Sequence, residues 1–162
     1  MDLEQQVEEL SRRLQAVEDE LAIHKLITRY GLAVDIGDAD RTAEVFAEDG
    51  IYDADVRLMN GREDVRDMVR SQRHQDMVGR CAHQIGPAVV KVDGDRGVAV
   101  GYSRVYLRDP QGIGIYRVSY NHWTLRRRES QWLITHRRTR LLGHEEAAAI
   151  FRAGLEELTP QR

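Results

Sequence analysis

The sequence predicts a single α+β domain in which helices precede a largely antiparallel sheet. Three segments with helical periodicity lie within the first 73 residues, and long segments with alternating side chains occupy residues 81 to 142. Helices grouped before strands, without regular alternation between the two, are typical of the α+β class. A chain of 162 residues can form one core without disulfides or structural metals.

Composition excludes several classes of protein. The formal charge of −3 is dispersed along the chain, so no basic surface for nucleic acid is expected. The basic runs 126–128 and 137–138 are interpreted as solvated ends of strands. Cys81 is the only cysteine, which rules out an intrachain disulfide. No apolar segment matches a signal peptide or a membrane span, so we expect a cytoplasmic protein with no membrane partner.

The first helix is predicted over residues 3–34, and its first part carries a narrow apolar stripe. The stripe residues are separated alternately by four and three positions: Leu3, Val7, Leu10, Leu14, Val17 and Leu21. This spacing is that of a coiled-coil seam. The helix could lie on its own domain or pack against a neighbouring subunit. The narrow stripe favours the second, and we expect a homo-oligomer with residues 1–21 as an extension and 22–158 as the domain.

The second part of this helix has apolar residues on nearly every face, which indicates that it is enclosed. Asp35 lies at its end, where a carboxylate among apolar residues is costly unless it is paired. His83, on a predicted strand 48 positions later, is the candidate partner. Gly37 to Asp40 then provides a helix stop and a restart.

The remaining elements follow from alternation and turn residues. Asp38 or Asp40 caps a short helix predicted over 39–46, and Gly50 ends it. Acids in the first turn support a helix over 62–73, and Gly86-Pro87 predicts a bulge within the first long strand. The other predicted elements are strands 51–56, 81–85, 89–92, 97–108, 113–128 and 131–142 and a closing helix 144–158.

The order of several short motifs resembles the SnoaL-like branch of the nuclear-transport-factor-2-like (NTF2-like) superfamily over roughly residues 20–142. The motifs are Arg29-Tyr30-x4-Asp35-x-Gly37-Asp38, Phe46-x2-Asp49-Gly50, Gly61, His83 and a terminal strand with Trp132. The set Tyr30, Asp35 and His83 is most similar to bile-acid 7α-dehydratase, scytalone dehydratase and lindane dehydrochlorinase. The resemblance implies a cone-shaped barrel, in which a strongly curved antiparallel or mixed sheet wraps around the N-terminal helices. It also implies a pocket at the mouth of the cone and a trimer, with a dimer as the alternative.

His83 beside Asp35 would form a catalytic dyad. A carboxylate on one imidazole nitrogen fixes the tautomer and leaves the other nitrogen to accept a proton. Tyr30 would donate a hydrogen bond to a substrate oxygen. The alternative is an ordinary strand histidine and a core tyrosine. Tyr30 and Asp35 lie about 140° apart on a regular helix, so both line one cavity only if it wraps the helix end or the helix loosens near Gly31.

Candidate substrate-binding residues are Phe46, Tyr52, Tyr120, His122 and Trp123. His122 and Trp123 lie where related sequences often carry an acid, which affects the expected shape and polarity of the pocket. The tyrosines could instead face a subunit interface, because strand parity alone does not decide between the two. No spacing of His, Asp or Glu indicates a metal site, and no cofactor is expected.

Two functions follow as hypotheses. The first is a cofactor-independent lyase or isomerase, similar to the dehydratases, acting on a hydroxylated ring-containing small molecule such as a steroid, polyketide or aromatic compound. The second is a non-catalytic module that binds a small molecule or serves as an accessory subunit. Fold similarity alone does not separate them.

Overall fold

The computed structural model describes residues 2–159, and its elements follow the predicted order of helices and then strands. The helices are α1 (Leu3–Asp35), α2 (Ala39–Glu44), α3 (Arg62–Arg70), α4 (Gln72–Gln75) and α5 (Ala147–Leu158). The strands are β1 (Phe46–Ala54), β2 (Arg57–Asn60), β3 (Cys81–Asp93), β4 (Arg96–Asp109), β5 (Gly112–Arg128) and β6 (Gln131–Leu141). None of the described helices is both long and apolar enough to cross a membrane.

The six strands form one mixed sheet in the order β2-β1-β6-β5-β4-β3. All neighbours are antiparallel except β1 and β6, which run parallel. The pairing register shifts between Ile85 and Ala88, between Val105 and Tyr106 and between Thr124 and Leu125. Such irregularities bend and twist a sheet. The predicted α+β class with a strongly curved mixed sheet is confirmed, and the sheet is open.

The main core lies between α1 and one face of the sheet. The enclosed half of α1 contributes Ile23 and Ile27, and the sheet contributes Trp123, Leu125 and Ile134. On the opposite face, α5 covers a second cluster in which the rings of Tyr102 and Tyr120 contact Phe151. The sheet therefore has two differently occupied faces, and residue parity on β5 determines which face a side chain joins.

Helix α1 is continuous but changes environment near Asp19. Almost every residue before it is exposed, and the six stripe residues are 50–76% exposed. From Asp19 onward the helix buries Ile23, Leu26, Ile27 and Tyr30 against the domain. Within the described chain, nothing covers the apolar stripe. The division at residues 21 and 22 stays a prediction.

Several predicted boundaries differ from the structure. Phe46 begins β1 and does not end a helix, because the Arg62 guanidinium donates to its carbonyl and the Ile134 N–H donates to the carbonyl of Val45. Helix α3 ends at Arg70, where Ser71 is extended and caps α4. Strand β2 was not predicted, and α5 begins at Ala147, not at His144.

Asp19 anchors the middle of α1 to the hairpin between β5 and β6. Its carboxylate accepts two hydrogen bonds of 2.7 Å from Arg127 and one of 3.1 Å from Trp132 Nε1. The Arg127 guanidinium also lies 4.8 Å from the centre of the Trp132 ring. The hydrogen bonds from Arg127 lower the pKa of Asp19, and burial only partly opposes this effect.

We expect Asp19→Asn to lower the free energy of unfolding at neutral pH by about 1–3 kcal/mol, because the Arg127 guanidinium would lose its buried anionic partner. The native pKa of Asp19 is depressed, so its contribution is complete above the unfolded value of about 3.9 and is lost as pH falls through the native value. Denaturant unfolding across pH measures this, with exposed Glu18→Gln as control. An equal difference at all pH values would contradict the prediction.

Candidate active site

The end of α1 lies directly on β3, and Gly31 makes this approach possible. A Cβ atom placed on Gly31 would lie 2.7 Å from the carbonyl oxygen of His83 and 3.3 Å from Cγ1 of Ile85. Backbone atoms cannot move aside as a flexible side chain can. Glycine at this position therefore brings the last turn of the helix within side-chain reach of His83.

Asp35 is the last residue of α1 and contacts His83 through both carboxylate oxygens. Oδ2 accepts a 2.7 Å hydrogen bond from the His83 backbone N–H, and Oδ1 lies 2.5 Å from His83 Nδ1. The two side chains are 18% and 17% exposed. A carboxylate can only accept, so the proton of the neutral imidazole lies on Nδ1. Nε2 has no hydrogen-bond partner among residues 2–159 and is left as a base.

Cys81 precedes His83 on the same face of β3 and contacts the same carboxylate. Its Sγ atom lies 3.4 Å from Asp35 Oδ1. Burial and the charge of Asp35 raise the pKa of the Cys81 thiol to about 11. The thiol is therefore protonated at neutral pH and is a poor nucleophile.

Asp35, Cys81 and His83 also place three potential metal ligands within 4.8 Å of one another. This combination of donors suits a divalent ion such as Zn²⁺. Spacing along the chain does not reveal this group, because Asp35 lies 46 and 48 positions before Cys81 and His83. An ion here would use the same Asp35 and His83 atoms that form the hydrogen bond, so metal binding and the hydrogen-bonded pair are competing states of this cluster.

His83 lies on the wall of a cavity of about 400 Å³. The cavity is bounded by the end of α1, the β1–β2 hairpin, the α3–α4 region and the beginning of β5. Its lining is mainly apolar and aromatic with a few polar groups, which is typical of small-molecule sites. The lining residues are Tyr30, Val34, Tyr52, Ala54, Val56, Arg57, Met59, Met68, Ser71, Arg73, His74, Met77, His83, Tyr116 and Arg117.

Tyr30 and Tyr52 bring two phenols to this cavity. Their ring centres are 6.2 Å apart and the rings are nearly perpendicular. Tyr30 is only 4% exposed, and burial, reinforced by the neighbouring Tyr52, raises its pKa far above the usual range. Tyr30 is therefore neutral at physiological pH and can donate a hydrogen bond. Tyr30 and Asp35 lie on different sides of α1. His83 nevertheless lines the same cavity as Tyr30, because its imidazole extends from β3 and not from the helix.

The structure distributes the five candidate substrate-binding residues over three environments. Tyr52 lines the cavity, and Phe46 lies fully buried behind it with the two rings stacked at 5.9 Å. Trp123 is a core residue and does not line the cavity. Tyr120 and His122 lie on the opposite face of the sheet, against Phe151 and Glu157 of α5. Neither residue lines this cavity, because these two positions of β5 face α5 and not α1.

The sequence analysis missed several residues around the cavity. His74 is buried and its Nε2 lies 2.8 Å from the Val34 carbonyl oxygen. Arg117 pairs with Asp55 beside the cavity. Arg137 is 3% exposed, although it was interpreted as a solvated strand end. Alternation along β6 is the signal that could place Arg137 on the inner face of the sheet. The register shift opposite Leu125 interrupts this alternation, and it cannot be predicted from the sequence.

Gly31→Ala tests the contact between helix and strand. Replacement of a helical glycine by alanine normally increases stability by about 0.5–1 kcal/mol. Here the added methyl meets the His83 backbone, so we expect a net loss of stability of about 1–3 kcal/mol and a weakened Asp35–His83 contact. Denaturant unfolding and the His83 imidazole NMR signals report both effects.

Gly114→Ala is the matched control, since a Cβ on Gly114 would meet no atom within 4 Å. A Gly31→Ala protein that is more stable than the original, with unchanged His83 signals, would show that the close approach is not a constraint.

Comparison with known proteins identifies the family and the fold of this chain. The SnoaL-like domain family matches residues 15–138. An NTF2-like protein of cystatin-like fold from Novosphingobium aromaticivorans is 37% identical, with a TM-score of 0.83 over 87% of this chain and 94% of that chain. A protein of unknown function from Mycobacterium tuberculosis is 25% identical, with a TM-score of 0.73 over 88% and 89% of the two chains.

A third structure, provisionally named a scytalone dehydratase from Novosphingobium aromaticivorans, is 16% identical, with a TM-score of 0.66 over 77% of this chain and 85% of that chain. At this identity the likeness shows the fold alone. No curated protein matches the chain at a significant level. The match over residues 15–138, together with the shared fold, shows that this chain belongs to the SnoaL-like domain family, with an NTF2-like fold.

Proposed function

We propose that this protein is a cofactor-independent lyase or isomerase that removes a proton from a hydroxylated, ring-containing small molecule. The observation that carries the proposal is the His83–Asp35 pair. Nδ1 of the imidazole is held by the carboxylate at 2.5 Å, and the ring lies on the wall of a 400 Å³ cavity. This arrangement supports general base catalysis, in which a positioned imidazole accepts a proton through its free nitrogen.

The chemistry follows from the placement of the three groups. His83 Nε2 takes a proton from a carbon next to a carbonyl or conjugated system, and the C–H electron pair moves into that system. Asp35 stabilises the resulting imidazolium, and Tyr30 donates to the oxygen that gains charge. In a dehydration, a carbon–oxygen bond then breaks, and the proton on His83 is transferred to the departing hydroxyl to give water. In an isomerisation, the same proton returns to a different carbon.

The cavity lining supports a flat, partly apolar substrate. Met59, Met68 and Met77 provide adaptable apolar contacts, and Tyr52 and Tyr116 provide ring faces. Arg57 and Arg73 bring guanidinium N–H donors to the lining, which suits the oxygens of a hydroxylated or carbonyl-bearing steroid, polyketide or aromatic compound. The family resemblance to dehydratases supports the same class of reaction.

We expect His83→Ala and Asp35→Asn each to lower kcat/KM by about 10²–10⁴-fold, since positioned proton transfer contributes that much. The test substrates in this assay are hydroxylated ring ketones. Absorbance of the conjugated product follows elimination, and NMR follows exchange of the α-hydrogens with deuterium. His24→Ala, a histidine on α1 that lies outside the cavity, is the control.

The same panel separates the enzyme from a binding module. Ligands that bind with no turnover and no exchange, and with affinity unaffected by His83→Ala, would support a non-catalytic binding or accessory protein and overturn the proposed mechanism. Loss of activity in His24→Ala equal to that in His83→Ala would equally remove the special role of His83.

We also propose a homo-oligomer in which the apolar stripe of α1 contributes to the interface. The six stripe residues are at least half exposed and follow heptad spacing over about three heptads. Helices in proteins gain most of their stability from the packing of an apolar face, so burial of the stripe against another subunit would stabilise this part of α1. The resemblance to the dehydratases favours a trimer, with a dimer as the alternative.

Light scattering should give an oligomer for the full chain and a smaller assembly for a protein lacking residues 1–20. The pair Leu10→Glu and Leu14→Glu should act in the same direction without truncation, whereas Glu8→Gln, off the stripe, should have no effect. A monomeric full chain would contradict the assembly proposal. An oligomer that survives both changes would show that the interface lies elsewhere.

A further inference from the structure

His74 places a second imidazole on the wall of the cavity that His83 lines. The residue lies on α4 and is 8% exposed. Its Nε2 atom lies 2.8 Å from the carbonyl oxygen of Val34, the residue that precedes Asp35. Two adjacent residues at the end of α1 therefore each hold one imidazole, His74 at the Val34 carbonyl and His83 at the Asp35 carboxylate.

The position of His74 is fixed by its backbone as well as by its ring. Ser71 caps α4, and its hydroxyl accepts a 3.4 Å hydrogen bond from the His74 backbone N–H while it donates to the Met68 carbonyl at 2.6 Å. The last carbonyl groups of a helix lack partners within that helix, and the His74 ring supplies a donor to one of them. The imidazole is thus held in a defined orientation before any ligand binds.

The contact with Val34 determines which nitrogen of His74 is free. A carbonyl oxygen can only accept, so the proton of the neutral ring lies on Nε2 and Nδ1 carries a lone pair. Nδ1 has no hydrogen-bond partner among residues 2–159. Within that part of the chain, the only side-chain nitrogen or oxygen that is fully buried without a hydrogen bond is Nε2 of His122. Nδ1 of His74 is therefore accessible, although the residue as a whole is more than nine-tenths buried.

We propose that His74 is a specificity-determining residue, which accepts a hydrogen bond through Nδ1 from a hydroxyl group of the substrate. The ligands that it would select are ring compounds with a free hydroxyl group, as opposed to their ethers. A site built to pair with a hydroxyl group discriminates against an analogue that lacks the donor. The proposal deepens the proposed function and rests on it only for the use of this cavity as the substrate site.

The chemistry of the acceptor indicates which hydroxyl group His74 would bind. A departing hydroxyl must gain a proton, and neutral His74 has no proton to donate from Nδ1. A hydrogen bond from that hydroxyl to His74 would increase the charge on its oxygen and oppose its departure. His74 therefore suits a hydroxyl group that remains on the ring, and a dehydration substrate would carry a second hydroxyl group that is lost after His83 acts.

The experiment compares 7-hydroxy-1-tetralone with its methyl ether, 7-methoxy-1-tetralone. The two ring ketones differ in the hydroxyl proton that His74 would accept. Calorimetric titration of the full chain at mildly alkaline pH gives both affinities. The original protein should bind the hydroxy ketone about tenfold more tightly, which is the order expected for one hydrogen bond.

Two substitutions separate the structural nitrogen of His74 from the nitrogen that would bind the ligand. In His74→Gln, the side-chain amide reaches the position of Nε2 and can still donate to Val34, but no acceptor replaces Nδ1. Stability should hold, and the preference for the hydroxy ketone should disappear. In His74→Asn, the amide oxygen lies near the position of Nδ1 but the side chain is too short for Val34. Stability should fall, and the preference should remain.

Nitrogen NMR of the imidazole rings tests the same contact in the unaltered chain, so the test holds if a variant fails to fold. The free protein should show the His74 proton on Nε2. The hydroxy ketone should shift the Nδ1 signal of His74, and the methoxy ketone should leave it unchanged. The signals of His24, which lies outside the cavity, should not respond to either ligand.

Three results would overturn the proposal. They are equal affinity of the original protein for the two ketones, or no binding of either; a preference that His74→Gln retains; and an Nδ1 signal that the hydroxy ketone leaves unchanged. Each would limit His74 to holding the end of α1. His83→Ala should keep the preference, since it leaves His74 in place. Because these measurements need no turnover, they can fail while His83 proves catalytic, and succeed while it does not.

Discussion

The position of the last turn of α1 on β3 determines most of the candidate site. Gly31 lets helix and strand backbones approach, with the His83 carbonyl 2.7 Å from where a Cβ would lie. That approach brings the Asp35 carboxylate to both the backbone N–H and Nδ1 of His83. Strand β3 is an edge strand that pairs with β4 on one side, His83 opposite Val105, and the end of α1 packs on it at His83. Burial of α1 beyond Asp19 and the orientation of His83 are therefore coupled.

Polar groups are paired differently at Asp19, where α1 is anchored, and at the cavity. At Asp19, a carboxylate, a guanidinium and an indole N–H satisfy one another, which anchors the helix. At the cavity, His83 Nε2 has no hydrogen-bond partner among the described residues. An unpaired ring nitrogen on the wall of a cavity is open to a ligand, whereas the groups around Asp19 already satisfy one another.

The sequence predicted those features that depend on local pattern, and missed those that depend on strand register. Helical periodicity and alternation sufficed for the α+β class. An ionisable residue ending an enclosed helix made His83 a candidate partner of Asp35, and the family resemblance was needed to favour that pair over an ordinary strand histidine. Alternation along β5 and β6 did not predict which face of the sheet Tyr120, His122 and Arg137 occupy. The register shift between Thr124 and Leu125 and the second layer formed by α5 decide which face each occupies. Neither leaves a signal in a single sequence, because both depend on contacts between distant segments.

The two faces of the sheet separate stabilisation from the candidate chemistry. Tyr102, Tyr120 and Phe151 form a dense ring cluster beneath α5, so that face is filled by the chain itself. The opposite face is filled by α1 only as far as its end, and beyond Asp35 the volume is bounded by the β1–β2 hairpin and by α4. A cavity forms where the helix stops because no later segment replaces it. The helix end thus creates both the space for a ligand and the carboxylate that orients the group facing that space.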